Sequence, residues 1–299
     1  MDAVAEPPYR LTDPEALRAK ADRLRARVIA LSHTAGTPHL ASALSCLDLL
    51  TTAYYSAMRF DPARTDDPAR DRLIFSKGHA IPALYAVLHD IGVISDALLA
   101  DYNRDGAVLA EQPAPFCAPG VEVATGSLGH GLPIGIGMAL SGRIRGDDRR
   151  VFVLMSDGEC NEGSVWEAAM FAPAQKLDRL CVLIDFNKWQ ATGRSREVMA
   201  IDPFVEKWRA FGWSAHEVDG HDPAAISAIL ENFPDGSGRP IAIVGHTVKG
   251  KGVSFMEDDN NWHYKVPDRD AFLRAWSELG QPEEEALALL EAAQPAGAH

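Results

Sequence analysis

The 299-residue sequence is short of several things, and each shortage removes a class of protein. No apolar run approaches the roughly 20 residues that a membrane-spanning helix requires, so none is expected. Cysteine is scarce: Cys46, Cys117, Cys160 and Cys181 show no C-x-x-C spacing, which indicates neither a zinc site nor a disulfide framework. Cys160 and Cys181 are expected to be core residues. Positive charge is in deficit, with 29 Lys and Arg against 42 Asp and Glu, and a formal net charge of −13. That balance argues against nucleic acid or an anionic membrane as partner. A phosphate ligand would need directed donors and a metal rather than a general positive field. The opening Met-Asp-Ala-Val-Ala-Glu-Pro-Pro carries an acidic residue and no apolar core, unlike a signal peptide, and a cytoplasmic protein is expected. What remains is ordinary globular composition, 46% hydrophobic and 24% charged, long enough for one large or two modest domains.

The most informative stretch spans residues 151–193. Val151-Phe-Val-Leu-Met155 is too short for a typical helix and is closed by Ser156-Asp157-Gly158, so it reads as a buried parallel strand. A helix follows over residues 162–175, with Trp166, Met170 and Phe171 on one side. A second buried strand, residues 180–184, ends in Asp185-Phe-Asn187. Strand, helix and strand then place Asp157 and Asn187 on one edge of a parallel sheet, the edge where ligands bind. One carboxylate, one amide oxygen and the Trp189 carbonyl suit a hard cation such as Mg²⁺, with a diphosphate completing its shell. The alternative is that Asp157-Gly158 and Asn187 are ordinary turn residues. Gly135-Ile-Gly137 is not a dinucleotide fingerprint, because Leu140 stands where the third glycine belongs.

Ser156-Asp157-Gly158 followed by Asn187 resembles the thiamine diphosphate motif of the transketolase-like superfamily, with Ser in place of the first Gly. The resemblance implies that Asp157, Asn187 and the Trp189 carbonyl hold Mg²⁺ (Ca²⁺ or Mn²⁺ as substitutes) against thiamine diphosphate, with Gly158 and Glu159 beside the cofactor. Further blocks resemble the same family in the same order. His39, ahead of Leu-Ser-Cys-Leu-Asp48, corresponds to a His that handles sugar hydroxyls and protons. Ser76-Lys-Gly-His79-Ala places His79 at the cofactor diphosphate and the reacting centre, where a helix N-terminus adds amide donors. In residues 120–132, Gly126, Ser127 and Leu128 would pack on the cofactor, and His130 replaces the usual Gln. Just before this block the family carries Gly-His-Pro, whereas this sequence has Glu111-Gln112-Pro113. Gln112 can donate and accept hydrogen bonds but carries no proton near neutral pH, so an unusual donor is expected. Glu162 and Glu167 correspond to a buried proton-sharing network across a dimer interface. Lys249, in a Lys-Gly-Lys-Gly loop, and His263, after Trp262, correspond to residues at the diphosphate. His221, in Gly-His-Asp, is as readily structural as functional.

The expected fold is α/β, a doubly wound, mostly parallel sheet flanked by helices. Residues 1–13 are expected to form a loose arm, 14–280 the diphosphate-binding domain, and 281–299 a helix and tail. The resemblance covers residues 15–280 but only half of a transketolase. The pyrimidine-binding and C-terminal domains, with the Glu that activates the cofactor, lie outside it. The sequence is therefore expected to be the N-terminal subunit of a split transketolase, acting on sugars or sugar phosphates. Its expected partner is a separately encoded C-terminal subunit, in an α₂β₂ assembly. The other readings are a 2-oxoacid dehydrogenase-like or deoxyxylulose-phosphate synthase-like enzyme, a non-catalytic thiamine-binding scaffold, and a nicotinamide oxidoreductase.

Overall fold

In the computed structural model, residues 7–292 are described. Among them five strands form one sheet: β1 (Arg72–Phe75), β2 (Val151–Ser156), β3 (Leu180–Phe186), β4 (Ser214–Asp219) and β5 (Ile241–His246). Every pairing is parallel and the order is β1-β2-β3-β5-β4. The central strands are apolar on both faces because both faces are covered. Phe152, Leu154, Cys181, Leu183, Ile241 and Ile243 join one core. Val151, Val153, Met155, Val182, Ile184, Ala242 and Val244 join the other.

The chain crosses the sheet in one direction as far as β4 and then steps back to insert β5. Right-handed crossovers place helices on one face while the direction holds and on the opposite face when it reverses. Accordingly Gly163–Ala174 and Phe204–Ala210 pack on the second core. Pro223–Leu230, which follows the reversal, packs on the first together with Pro14–Ala35 and Pro82–Asp90. The doubly wound parallel fold expected from the sequence is present. No helix among the described residues is long and apolar enough to cross a membrane.

Local signals account for most element ends. Asp13 caps Pro14–Ala35 by accepting from the amides of Glu15 and Ala16, and Gly36 ends it at φ 65°. Three details differ from the sequence expectation. Within the expected arm, Tyr9 donates its hydroxyl to the Phe60 carbonyl at 2.6 Å and Leu11 donates its amide to Tyr55 at 2.8 Å, so residues 9–11 are fastened to the body. Residues 1–6 lie outside the described part. The helix expected over 42–58 is broken at Cys46 into Leu40–Ser45 and Leu47–Thr52, with a π turn at Ala53–Ala57. The Ser45 hydroxyl at that break reaches 2.7 Å to Asp185 instead of solvent. Gly163–Ala174 buries Val165, Ala168, Ala169 and Ala172, while Met170 and Phe171 are exposed and Trp166 packs half-buried between Trp208 and Phe211.

Candidate active site at the carboxyl edge of the sheet

Parallel pairing delivers β1, β2, β3 and β5 to one edge, and each strand hands over to a polar segment there. Ser156 pairs with Asp185 in register, which leaves Asp157 and Asn187 on adjacent strand exits. Asp157 is fully buried, and its Oδ2 accepts from the Ser195 hydroxyl at 2.6 Å and the Lys188 amide at 3.2 Å. Its Oδ1 is buried with no partner. Burial pushes this carboxyl up to about 7, with the Ser195 bond opposing and nearby Asp185 adding to the rise. A buried carboxylate with an unused oxygen is a ready ligand for a cation.

Asn187 is oriented by its amide nitrogen, which donates to Asp185 at 3.1 Å and Ser45 at 3.3 Å. The carbonyl oxygen therefore points away from that pair and accepts from the Trp189 amide at 3.1 Å. Lys188, at φ 70°, turns the chain so that Trp189 follows directly over Asn187. The Trp189 indole donates to Asp258 at 2.8 Å, and the Arg194 guanidinium stacks 3.8 Å from its ring while forking onto the same Asp258. Among the described residues no group of three His, Cys, Asp or Glu side chains could hold a metal. One carboxylate beside one amide oxygen is instead the oxygen donor set that Mg²⁺ uses with ligand phosphates.

Behind these residues lies a buried hub for which the sequence carried no expectation. Asp185 accepts from the Lys77 ammonium, the Thr247 hydroxyl, Ser45 and Asn187, and Lys77 also donates to the Ser42 carbonyl at 2.8 Å. Burial alone would raise the Asp185 carboxyl, but Lys77 holds it below the ordinary carboxylate range. The available signal is an Asp inside an otherwise apolar strand and a Lys directly after β1; their pairing across 108 residues leaves no trace in the sequence.

The glycine-rich loop docks on the same edge. A Cβ at Gly78 would stand 2.5 Å from the Gly126 backbone nitrogen, so only glycine allows the two segments to touch. The Gln112 amide lies directly against Gly126. Ser127 is exposed and Leu128 half-buried beside it. Glu159 fastens this loop: fully buried, it accepts from the Ser76 hydroxyl and from the Gly129 amide at 3.0 Å, and its second oxygen has no partner. Burial raises its pKa, moderated by the Ser76 bond. Gly158, next to Asp157, lies against Gln190.

Three histidines far apart in sequence meet on this edge. The His39 ring lies 5.4 Å from His79 and 4.9 Å from His263, edge to face. His39 is held at φ 65° and donates its amide to the His263 carbonyl at 2.8 Å. The Lys249 ammonium, fully buried, contacts His263 Nδ1 at 2.9 Å and Asn260 at 2.7 Å. Burial and then Lys249 push His263 down to about 3, while burial and then Lys77 lower His79, so both rings are neutral near pH 7. Burial, with a further push from Lys77, lowers Lys249 to about 8.

His221 resolves as a supporting residue. Its Nε2 accepts from the Val248 amide at 2.9 Å, so its proton sits on Nδ1 and is donated to Asp48 at 2.5 Å. Asp48 is neutralised in turn by the buried Arg25. Glu162 and Glu167 are both exposed on the single chain, away from this cluster of histidines.

The sequence profile described as transketolase, thiamine diphosphate binding domain, matches residues 17–285. One of the two subunits of an apulose-4-phosphate transketolase from Phocaeicola vulgatus is 37% identical over 89% of this chain and 95% of its own length. A 6-deoxy-6-sulfo-D-fructose transketolase subunit from a Clostridium species is 39% identical over 74% of this chain and 81% of its own. Among solved structures, transketolase from Campylobacter jejuni shares the fold with a TM-score of 0.83 at 24% identity, covering 93% of this chain and 46% of that one. The chain thus spans nearly the whole of the first of these relatives but about half of that solved transketolase. It belongs to the transketolase family, as a thiamine diphosphate-binding domain.

Proposed function

We propose that this chain is the thiamine diphosphate-binding subunit of a two-subunit transketolase, moving a two-carbon ketol unit from a ketose to an aldehyde acceptor. The observation that carries this reading is the unpartnered, fully buried Asp157 Oδ1 beside Asn187, on the same sheet edge as Lys249 and the three histidines. Asp157, Asn187 and the Trp189 carbonyl would hold Mg²⁺, with Ca²⁺ or Mn²⁺ as substitutes. Lys249, His79 and His263 donate to the diphosphate, and the backbone of Gly126, Ser127, Gly158 and Glu159 with the Leu128 side chain packs around the cofactor. Bound thiamine diphosphate supplies the electron sink that lets the bond beside a ketone break and re-form. The protein's own residues bind, orient and desolvate. His39 and Gln112 face the donor hydroxyls, and neutral His79 and His263 can accept or donate a proton there. Glu162 and Glu167, exposed on one chain, fit an interface with a second copy.

A separate C-terminal subunit would complete the site. Tyr264, beside His263 and His39, and Val198 and Met199, just past Ser195, are large apolar side chains left exposed near this edge. Their cover would be the pyrimidine-binding subunit, in an α₂β₂ assembly. The relatives named for apulose 4-phosphate and for a sulfosugar support a ketose or ketose phosphate donor that varies beyond its ketol end. The purified chain should bind thiamine diphosphate weakly with Mg²⁺ and show no ketol transfer; adding the partner subunit should restore it. Turnover by the chain alone, or none by the pair on a ketose panel, would sink the proposal.

A further inference from the structure

Glu111 contributes a charge that none of the roles above uses. Its Oε1 stands 3.4 Å from His39 Nδ1, and the side chain remains 37% exposed. That ring nitrogen is buried and lacks an aligned hydrogen-bond partner, so the contact is a charge pairing rather than a made bond. The same imidazole touches His79, His263 and Tyr264, which puts the carboxylate on the wall of the histidine cluster. Gln112 does not share this wall, because its amide is laid on Gly126. The cluster is thus polarised. Lys249 supplies a cation on the His263 side at 2.9 Å, and Glu111 supplies an anion on the His39 side. A phosphorylated tail suits the first end. At the second end a carboxylate accepts from hydroxyls and repels another carboxylate.

We propose that Glu111 is a specificity-determining residue, selecting donors that present hydroxyls at His39 and disfavouring donors that bring a carboxylate to the same wall. The inference rests on the transketolase reading and separates two donor classes within it, ketoses and 2-oxoacids. A ketose and 3-hydroxypyruvate deliver the same two-carbon unit, the first leaving an aldehyde and the second CO₂, so they differ at the departing group and not in the transferred one. The burial that lowers the His39 pKa, partly offset by Glu111, adds to the picture of a neutral ring beside a lone negative charge.

The test uses the reconstituted two-subunit holoenzyme with D-xylulose 5-phosphate, L-erythrulose and 3-hydroxypyruvate as donors and glycolaldehyde as acceptor. Glu111→Gln should raise kcat/KM for 3-hydroxypyruvate relative to the ketoses by about tenfold, mainly through KM, as expected from removing one like charge near a surface. Glu111→Asp, which keeps the charge, should keep the wild-type ratio. This ratio does not depend on how much of a variant is folded. An unchanged ratio in Glu111→Gln, or an equal loss on all donors, overturns the specificity role and leaves the transketolase reading intact. Failure of the wild-type pair on every donor overturns the transketolase reading itself.

Discussion

At the scale of single residues, environment matters more than identity. Lys249 and Lys77 are both buried lysines, yet Lys77 is raised because Asp185 pairs with it, whereas Lys249 falls to about 8 because burial and the Lys77 charge outweigh more distant acids. A lysine that has lost half its charge by about pH 8 should bind a diphosphate less well as pH rises through that value. Calorimetric titration of the chain with Mg²⁺ and thiamine diphosphate from about pH 7 to about pH 9 should show affinity falling. Lys249→Met should flatten that dependence and weaken binding about tenfold, the worth of one hydrogen bond to a charged group. A pH-independent affinity in the wild-type chain would remove Lys249 from the diphosphate. Lys249, His79 and His263 were legible in the sequence because each sits in a short block of fixed spacing. Lys77 and Asp185 were not, since a buried ion pair gives no local pattern.

Elements, rather than residues, decide where the loop after β5 goes. Thr247 is tied to Asp185, Val248 to His221, and Gly250 donates to the Ala41 carbonyl at 2.9 Å, so three separate elements grip four consecutive positions. The His221 link runs through Asp48 to Arg25 and so connects this loop to Pro14–Ala35. Burial would raise Asp48, but the Arg25 charge and the His221 bond hold it below the usual carboxylate range. The stabilisation from a depressed carboxyl is complete above its unfolded value and fades as pH falls through the folded one. His221→Leu leaves the Val248 amide and one Asp48 oxygen unpaired, a cost of roughly 1–3 kcal/mol. Urea unfolding at neutral pH should show that loss, and cofactor binding should weaken in parallel as Lys249 loses its support. A loss of stability without any change in cofactor affinity would mean that the relay holds the fold but does not position the loop.

For the molecule taken entire, the carboxyl edge presents a half-built site with an apolar rim. Tyr264 is 64% exposed and Met199 53%, next to segments that are otherwise buried and polar. Met199→Asp combined with Tyr264→Asp should weaken association with the C-terminal subunit by about tenfold or more, because each apolar side chain removed from an interface forfeits about 1.5–3 kcal/mol of burial. The melting temperature of the isolated chain should be unchanged. Sedimentation of the mixed subunits reads the first and a thermal melt the second; unaltered assembly would move the interface elsewhere. Order along the chain was enough to specify the doubly wound fold and the succession of strand exits, because doubly buried strands must be continuously apolar and the polar residues that end them are visible as breaks. It also carried the motif residues Asp157, Asn187, His39, His79 and His263 through their spacing. Folding in three dimensions was needed to establish that Asp185 anchors Lys77, that His221 is a neutral support for Val248, and that Glu111 rather than Gln112 faces His39. Those pairings join positions from 72 to 173 residues apart, and a contact across such a distance is fixed by packing, which no local periodicity records.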